Sequence, residues 1–306
     1  MRKAVYEEIY KLAQIDKNVV FIGSDLGRDV LKDFKQRFPS RFFMEGVSEG
    51  HLLSMCAGMA MEGKIVFVST IAPFFVRRAF EQILVDIAMH KLPVRIIGIG
   101  GGLVYAPLGP THMAIEDLAT MRAIPHMSVV AVSDSVQMRK FIPQTLTYKG
   151  PIYIRLAKGG DPIVTPTGMP FRIGRAMEFA KGKDVYVVTT GITLQIALEA
   201  RKKLSQKGYY VGVLHFPTIK PFDTKALLGI TQHVKAVITI EEGVQSGGLA
   251  GIVSETIAQH SKRFVRVVSL GIGETYPVLY GSQDKQLEFF GLTSQNLIKT
   301  VERVLR

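Results

Sequence analysis

Apolar positions along this chain recur with two alternating periods. Short continuous runs such as Val19-Val20-Phe21-Ile22 read as buried strands, and stretches with apolar residues three and four apart read as helices. The first half gives helix 3–16, strand 19–22, helix 29–37, and a helix opened by Glu49 with Leu52, Leu53, Cys56, Met59 and Ala60 on its buried side. Strand 65–68, a long helix 73–90, strand 93–99, helix 113–123, strand 128–132, helix 134–146 and strand 151–155 follow. Between 158 and 183 the periodicity fails and Gly, Pro and Thr accumulate, which predicts a linker. From Asp184 the alternation restarts as strand 184–190, helix 192–207, strand 210–214, helix 223–233, strand 235–240, helix 247–260, strand 264–270 and helix 293–305. Strands that alternate with helices predict parallel sheets covered on both faces. The expected fold class is α/β with two doubly wound domains, residues 1–160 and 184–306, joined by a linker over 161–183.

Composition narrows the class. With 306 residues, 47% of them hydrophobic and 21% charged, the chain has material for two ordinary globular domains. The longest nearly uncharged run, 96–108, is glycine-rich and shorter than the ~20 residues of a membrane span. Met1-Arg2-Lys3 leads into an amphipathic helix rather than an apolar signal core. The single cysteine, Cys56, excludes an internal disulfide framework and a cysteine metal cluster. A cytoplasmic protein that is not membrane-bound is expected. The net charge of +12 is spread in small clusters at 32–41, Arg77-Arg78 and 201–203, without the aromatic strand or zinc pattern of a nucleic-acid binder. It reads as solvated basic faces, or as a surface for an acidic partner chain.

Ligands of open α/β sheets bind beyond the carboxyl ends of the strands. In the first domain those ends carry Asp25, Glu49, Pro73-Phe74-Phe75, Gly109-Pro110-Thr111-His112, and Arg155 with Lys158. An acid, aromatic rings, a histidine and basic groups on one rim suit a flat heteroaromatic ligand and an anion. By itself Glu49 also reads as helix-start electrostatics, an acid at the positive end of a helix dipole behind Ser48 as N-cap.

Gly46-Val47-Ser48-Glu49, the segment 70–78, Gly109-Pro110-Thr111-His112, Glu116-Asp117-Leu118 and Arg122-Ala123-Ile124-Pro125 resemble the pyrimidine-binding domain of transketolase. Pro217-Thr218-Ile219-Lys220-Pro221, and Glu241-Glu242 followed by Gly247-Gly248-Leu249, resemble the C-terminal domain of the same family. The resemblance runs over essentially the whole chain and implies thiamine diphosphate as cofactor. It also implies Glu49 as the glutamate that hydrogen-bonds N1′ of the aminopyrimidine, since a carboxyl in a poorly solvated pocket can share a proton with a ring nitrogen. By the same resemblance Phe75 packs on the pyrimidine, with Phe74 the core member of the pair. Asp25, Ala72 and Arg78 join Glu49 and Phe75 as cofactor contacts, and Asp25 also reads as a turn residue. His112 contacts substrate oxygens and is catalytic with Glu49, whereas the role of His51 is open. Arg2, Arg28 and Lys158 are candidates for an acceptor phosphate, although Asp29 beside Arg28 would repel one.

Two departures from the family bear on the substrate. Gly100 stands where transketolases carry a histidine, and Ala106-Pro107-Leu108-Gly109 replaces the Gly-Glu-Asp-Gly of Gly-Glu-Asp-Gly-Pro-Thr-His, so that Leu108 stands for an aspartate. Losing two polar partners should weaken hydroxyl recognition. The family's Gly-Asp-Gly motif for diphosphate and metal is absent from the sequence. The resemblance therefore implies the C-terminal subunit of a split enzyme, with thiamine diphosphate and Mg2+ or Ca2+ held through an N-terminal partner subunit, in a two-plus-two heterotetramer. The expected reaction is transfer of a two-carbon ketol unit from a ketose to an aldehyde, with non-standard substrates. The alternative is a 2-oxoacid donor such as pyruvate, as in 1-deoxyxylulose-5-phosphate synthases and 2-oxoacid dehydrogenase β subunits.

Overall fold

The computed structural model describes residues 1–24, 31–157 and 159–306. Asp25, Arg28 and Lys158 lie outside the described residues. The first half folds as α1 (Arg2–Ile15), β1 (Val19–Gly23), α2 (Lys32–Arg37), β2 (Phe42–Met44), α3 (Glu49–Met61) and β3 (Ile65–Ile71). A helical stretch then changes type, from a π-type turn at Phe74–Arg78 through α4 (Phe80–Gln82) to a second π-type segment at Ile83–Ala88. After it come β4 (Val94–Ile99), α5 (Asp117–Ala123), β5 (Ser128–Ala131), α6 (Ser135–Phe141) and β6 (Ile152–Leu156).

The second half contains β7 (Met177–Ala180), β8 (Val185–Thr189), α7 (Thr193–Gln206), β9 (Val211–His215), β10 (Thr218–Lys220) and α8 (Thr224–Thr231). It continues with β11 (Ala236–Val244), α9 (Leu249–His260), β12 (Arg266–Ile272), α10 (Gln283–Phe289) and α11 (Ser294–Leu305). Among the described residues no helix is long and apolar enough to cross a membrane.

Among the described residues the first sheet runs β10-β5-β6-β4-β3-β1-β2 and the second β12-β11-β8-β9-β7. Both are parallel except at one edge each, where β10 lies antiparallel to β5 and β7 antiparallel to β9. β7 falls inside the stretch expected to be a linker, which shortens that linker at its C-terminal side. β10 comes from the second half of the chain yet completes the first sheet, so the two domains share an edge.

The two domains also share a core. Met121, Ile124, Val129 and Ala131 of the first pack in one cluster with Phe216, Ile219, Leu227 and Val253 of the second. On the other face of the first sheet, α1 and α6 cover Phe21, Phe67, Ile97 and Ile154. On the outer face of the second sheet, α7 and α11 enclose Val187, Val213 and Ile238.

His215 illustrates what this burial demands of a polar group. It is fully enclosed at the end of β9, with Nδ1 2.8 Å from Thr189 Oγ1 and Nε2 3.3 Å from Gln137 Oε1. Burial drives its pKa from 6.5 down to about 3, against the opposing pull of Asp134, so the fold holds it neutral. A depressed histidine contributes stability above its unfolded pKa and loses it as pH falls toward the folded value. The stability advantage of the wild type over His215→Gln should therefore shrink by about 1.4 kcal/mol per pH unit below 6.5. Urea unfolding at pH 7, 6 and 5 measures it, and a pH-independent difference would contradict it.

Candidate functional site

α3 begins at Glu49 because Gly46, at φ +77°, reverses the chain after β2. Ser48 holds the cap position, but its hydroxyl donates to Glu45 O at 3.4 Å and caps no backbone N–H. The expected serine cap is thus corrected; the tight turn directs the hydroxyl back along the chain. Glu49 is 1% exposed although it is the first residue of its helix. Its Oε2 accepts a hydrogen bond from Arg78 Nη1 at 2.8 Å, while Oε1, equally buried, has no hydrogen-bond partner among the described residues. A buried carboxylate oxygen without a donor costs free energy, so such atoms call for an external partner. The residues present therefore fit a ligand that brings an N–H or O–H donor, such as a protonated ring nitrogen, to that oxygen.

Arg78 links the acid to the rest of the rim. Its guanidinium sits 4.8 Å from the centre of the Phe74 ring. The Phe74 ring in turn meets His112 edge-on at 5.3 Å. His112 Nδ1 lies 3.0 Å from Thr111 Oγ1. Arg77, next in the chain, pairs with Glu116 and donates from Nη2 to Met113 O at 2.8 Å. It also reaches Pro110 O and Thr111 O, so one side chain ties down both sides of His112. Glu49, Arg78 and His112 are brought onto one surface from α3, the π-type turn and the loop before α5.

The sequence-based expectation set Phe75 against the pyrimidine and Phe74 in the core. Phe75 has no accessible surface and belongs to the shared core, whereas Phe74 is half-buried and faces Arg78 and His112. In a π-type turn each residue advances less far around the axis than in an α-helix, and here that places Phe74 on the rim. Phe75→Ala should accordingly cost about 3–5 kcal/mol of stability, as for a large core side chain, and Phe74→Ala less than half of that. Equal losses in urea unfolding would contradict the assignment.

The other candidate residues stand after β3 and β4 and at the start of α1. Ala72 is fully buried just beyond β3. Gly100 follows β4 at φ +70°, and a Cβ there would overlap the Tyr105 ring, so Tyr105 fills the room a side chain at 100 would need. Burial raises the Tyr105 pKa, and the neighbouring Arg2 guanidinium at the start of α1 pulls it back. Arg2 itself is exposed, as are His51 and, at 51%, Leu108. Arg2, Tyr105 and Gly100 thus group together, with Leu108 on the exposed turn that follows. Sequence reasoning missed Tyr105 and Arg77. The first lies in a glycine-rich loop without periodicity, and the second is indistinguishable from Arg78 without coordinates.

Beneath the rim lies a buried polar network that crosses the domain boundary. Asp117, at 0% exposure, pairs with Arg155 and accepts from Tyr153 Oη at 2.7 Å. Arg155 Nη1 donates to Glu242 O at 2.7 Å. Glu241 receives the backbone N–H groups of Leu249 and Ala250, each at 2.8 Å, at the start of α9. Burial pushes the Glu241 and Glu242 carboxyls up to about 7. Burial also opposes charge on Arg155, but Asp117 more than compensates and holds its pKa above the usual value.

Residues 1–160 match the family model described as transketolase, pyrimidine binding domain, and residues 174–297 match transketolase, C-terminal domain. The chain is 33% identical over 301 residues to one of the subunits of the apulose-4-phosphate transketolase of Phocaeicola vulgatus, covering 98% of this chain and 95% of that protein. It is 32% identical over 305 residues to the 6-deoxy-6-sulfo-D-fructose transketolase subunit SqwH of a Clostridium species, covering 99% and 94% respectively. A solved structure described as a split gene transketolase, inactive beta4 tetramer, has TM-score 0.88 at 34% identity, covering 99% of this chain and 97% of the other.

Proposed function

Because the chain belongs to the transketolase family, with both its pyrimidine-binding and C-terminal domains, we propose that it is the C-terminal subunit of a split transferase. The enzyme moves a two-carbon ketol unit from a ketose donor to an aldehyde acceptor. Thiamine diphosphate, when bound, supplies the carbon nucleophile that carries the unit between the two substrates. An N-terminal subunit completes the site, holding the diphosphate through Mg2+ or Ca2+, within a heterotetramer that contains two copies of this chain.

The observation that carries this reading is the buried, unpartnered Oε1 of Glu49. Glu49 holds or shares a proton at the pyrimidine nitrogen through that oxygen, while Arg78 fixes its other oxygen. Ala72 forms the buried floor after β3, Phe74 offers an apolar face, and Asp25 is assigned to the same cofactor on sequence grounds. Phe75, the ring proposed from sequence, backs this surface from the core. His112 holds or moves a proton at a substrate oxygen, and Arg77 keeps its loop in place. Arg2, with Arg28 and Lys158, provides positive charge for a substrate phosphate. Gly100 covered by Tyr105, together with exposed Leu108, favours a donor that lacks the ordinary pattern of hydroxyls.

Reconstitution tests the proposal. The chain mixed with an N-terminal partner that carries the Gly-Asp-Gly motif, thiamine diphosphate and Mg2+ should transfer ketol units from a ketose phosphate to an aldose phosphate, and neither polypeptide alone should. Consumption of pyruvate in place of ketoses would replace ketol transfer by acyl transfer. No turnover of either donor class by the assembled complex would overturn the reading.

A further inference from the structure

The loop between β4 and α5 carries Leu108 and His112, and its neck is closed by two backbone bonds, Gly102 N to Ala114 O at 2.8 Å and Ala114 N to Gly102 O at 2.9 Å. At that neck a carboxylate arrives from the other domain. Glu242, in β11 and 4% exposed, accepts from Leu103 N at 3.0 Å and from Gln283 Nε2 at 2.7 Å, both on Oε1. Gly102 has φ +70°, and a Cβ there would lie 2.5 Å from the Glu242 carboxyl carbon. The glycine leaves room for the carboxylate to reach the loop backbone.

Packing agrees with the hydrogen bonds. Leu103, Ala106, Met113 and Ile115 of the loop form a small apolar cluster with Ile272 of β12. Val244 N, at the end of β11, donates to Ile115 O at 2.9 Å. One side of the loop is thus tied to the first domain through Arg77, and the other is seated on the second domain. Glu242 Oε1 thus joins two donors, Gln283 from its own domain and the Leu103 backbone N–H from the loop of the other.

We propose that Glu242 is a positioning residue for the substrate loop: it fixes the turn at Leu103 and thereby the placement of Leu108 and His112 against the donor. The role at the donor rests on the split-transferase reading above; the effect on the loop does not. The second domain then contributes to substrate selection without touching substrate.

Two substitutions at one position separate the roles. Glu242→Met keeps length and removes the acceptor; Glu242→Gln keeps an oxygen for Leu103 N. In the reconstituted complex, with a ketose phosphate as donor, Glu242→Met should raise the donor KM at least tenfold and change kcat less than threefold. Thiamine diphosphate affinity should stay within twofold, and Glu242→Gln should restore KM to within threefold of the wild type. In the chain alone, amide exchange across 100–113 should rise at least tenfold in the Met variant, with β4 protection unchanged.

Should Glu242→Met fail to fold, Gln283→Ala, which removes one donor to the same oxygen, should raise KM two- to fivefold. A wild-type complex without ketol transfer would sink the functional reading alone, and the exchange comparison would still decide the loop. Unchanged loop exchange in Glu242→Met overturns the proposal. So does a Glu242→Gln variant as impaired as Glu242→Met, or a loss spread evenly over kcat and cofactor affinity.

Discussion

In the reconstituted complex Glu49→Gln lowers turnover by about 10²–10⁴-fold, the usual weight of a positioned acid–base group. Glutamine has the same shape and can still hydrogen-bond, but it cannot take up and return a proton. The effect belongs in kcat, because the interaction removed matters most as the reaction proceeds. Folding should scarcely notice. Oε1 has no partner to lose among the described residues, the glutamine oxygen can still accept from Arg78 Nη1, and the substitution removes a charge from a fully buried side chain. Steady-state kinetics beside a urea titration of both proteins measures the two effects together. A fully active glutamine variant would remove Glu49 from the chemistry and leave it a buried helix-start acid.

Asp117→Ala carries the largest expected cost in stability, about 3–5 kcal/mol, because it strands Arg155 in the core. The Arg155 side chain is 7% exposed and that of Asp117 is 0%, so water cannot replace the missing charge. The same substitution takes the acceptor from the Tyr153 hydroxyl and loosens the arginine that holds Glu242 O across the domain boundary. Glu199→Ala is the matched surface control. Its partner Lys203 lies one turn away on an exposed face, and the change should stay within about 1 kcal/mol. Urea unfolding of the three proteins tests the contrast. A loss below about 1 kcal/mol for Asp117→Ala would mean that Arg155 finds another partner or reaches solvent.

Much of the fold was legible because the relevant information is local. The strand–helix alternation, both sheets and the opening of α3 at Glu49 follow from the spacing of apolar residues. The strand ends put Glu49, Phe74 and His112 on one expected rim, whereas Arg78 entered only through the family resemblance. The short elements were not legible. β7 and β10 have four and three residues, lie among prolines and glycines, and exist because a distant strand edge accepts them. α10 has only seven residues, too few for a helical period to register. Glu241-Glu242 could be singled out as a motif but not given a task, since two adjacent acids on a strand point to opposite faces.

The order of residues alone was enough for the long strands and helices, for an acid at the head of α3, and for the pattern of one half of a two-subunit enzyme. These depend on neighbours a few positions away, or on motifs whose order is written in the chain. What needed the folded chain was that Phe74 lies against Arg78 and His112 while Phe75 is enclosed, that Glu49 keeps one oxygen unpartnered among the described residues, and that a carboxylate of the second domain bonds the loop of the first. The first follows from a π-type turn and the other two from groups more than twenty positions away, and the spacing of apolar residues encodes none of them.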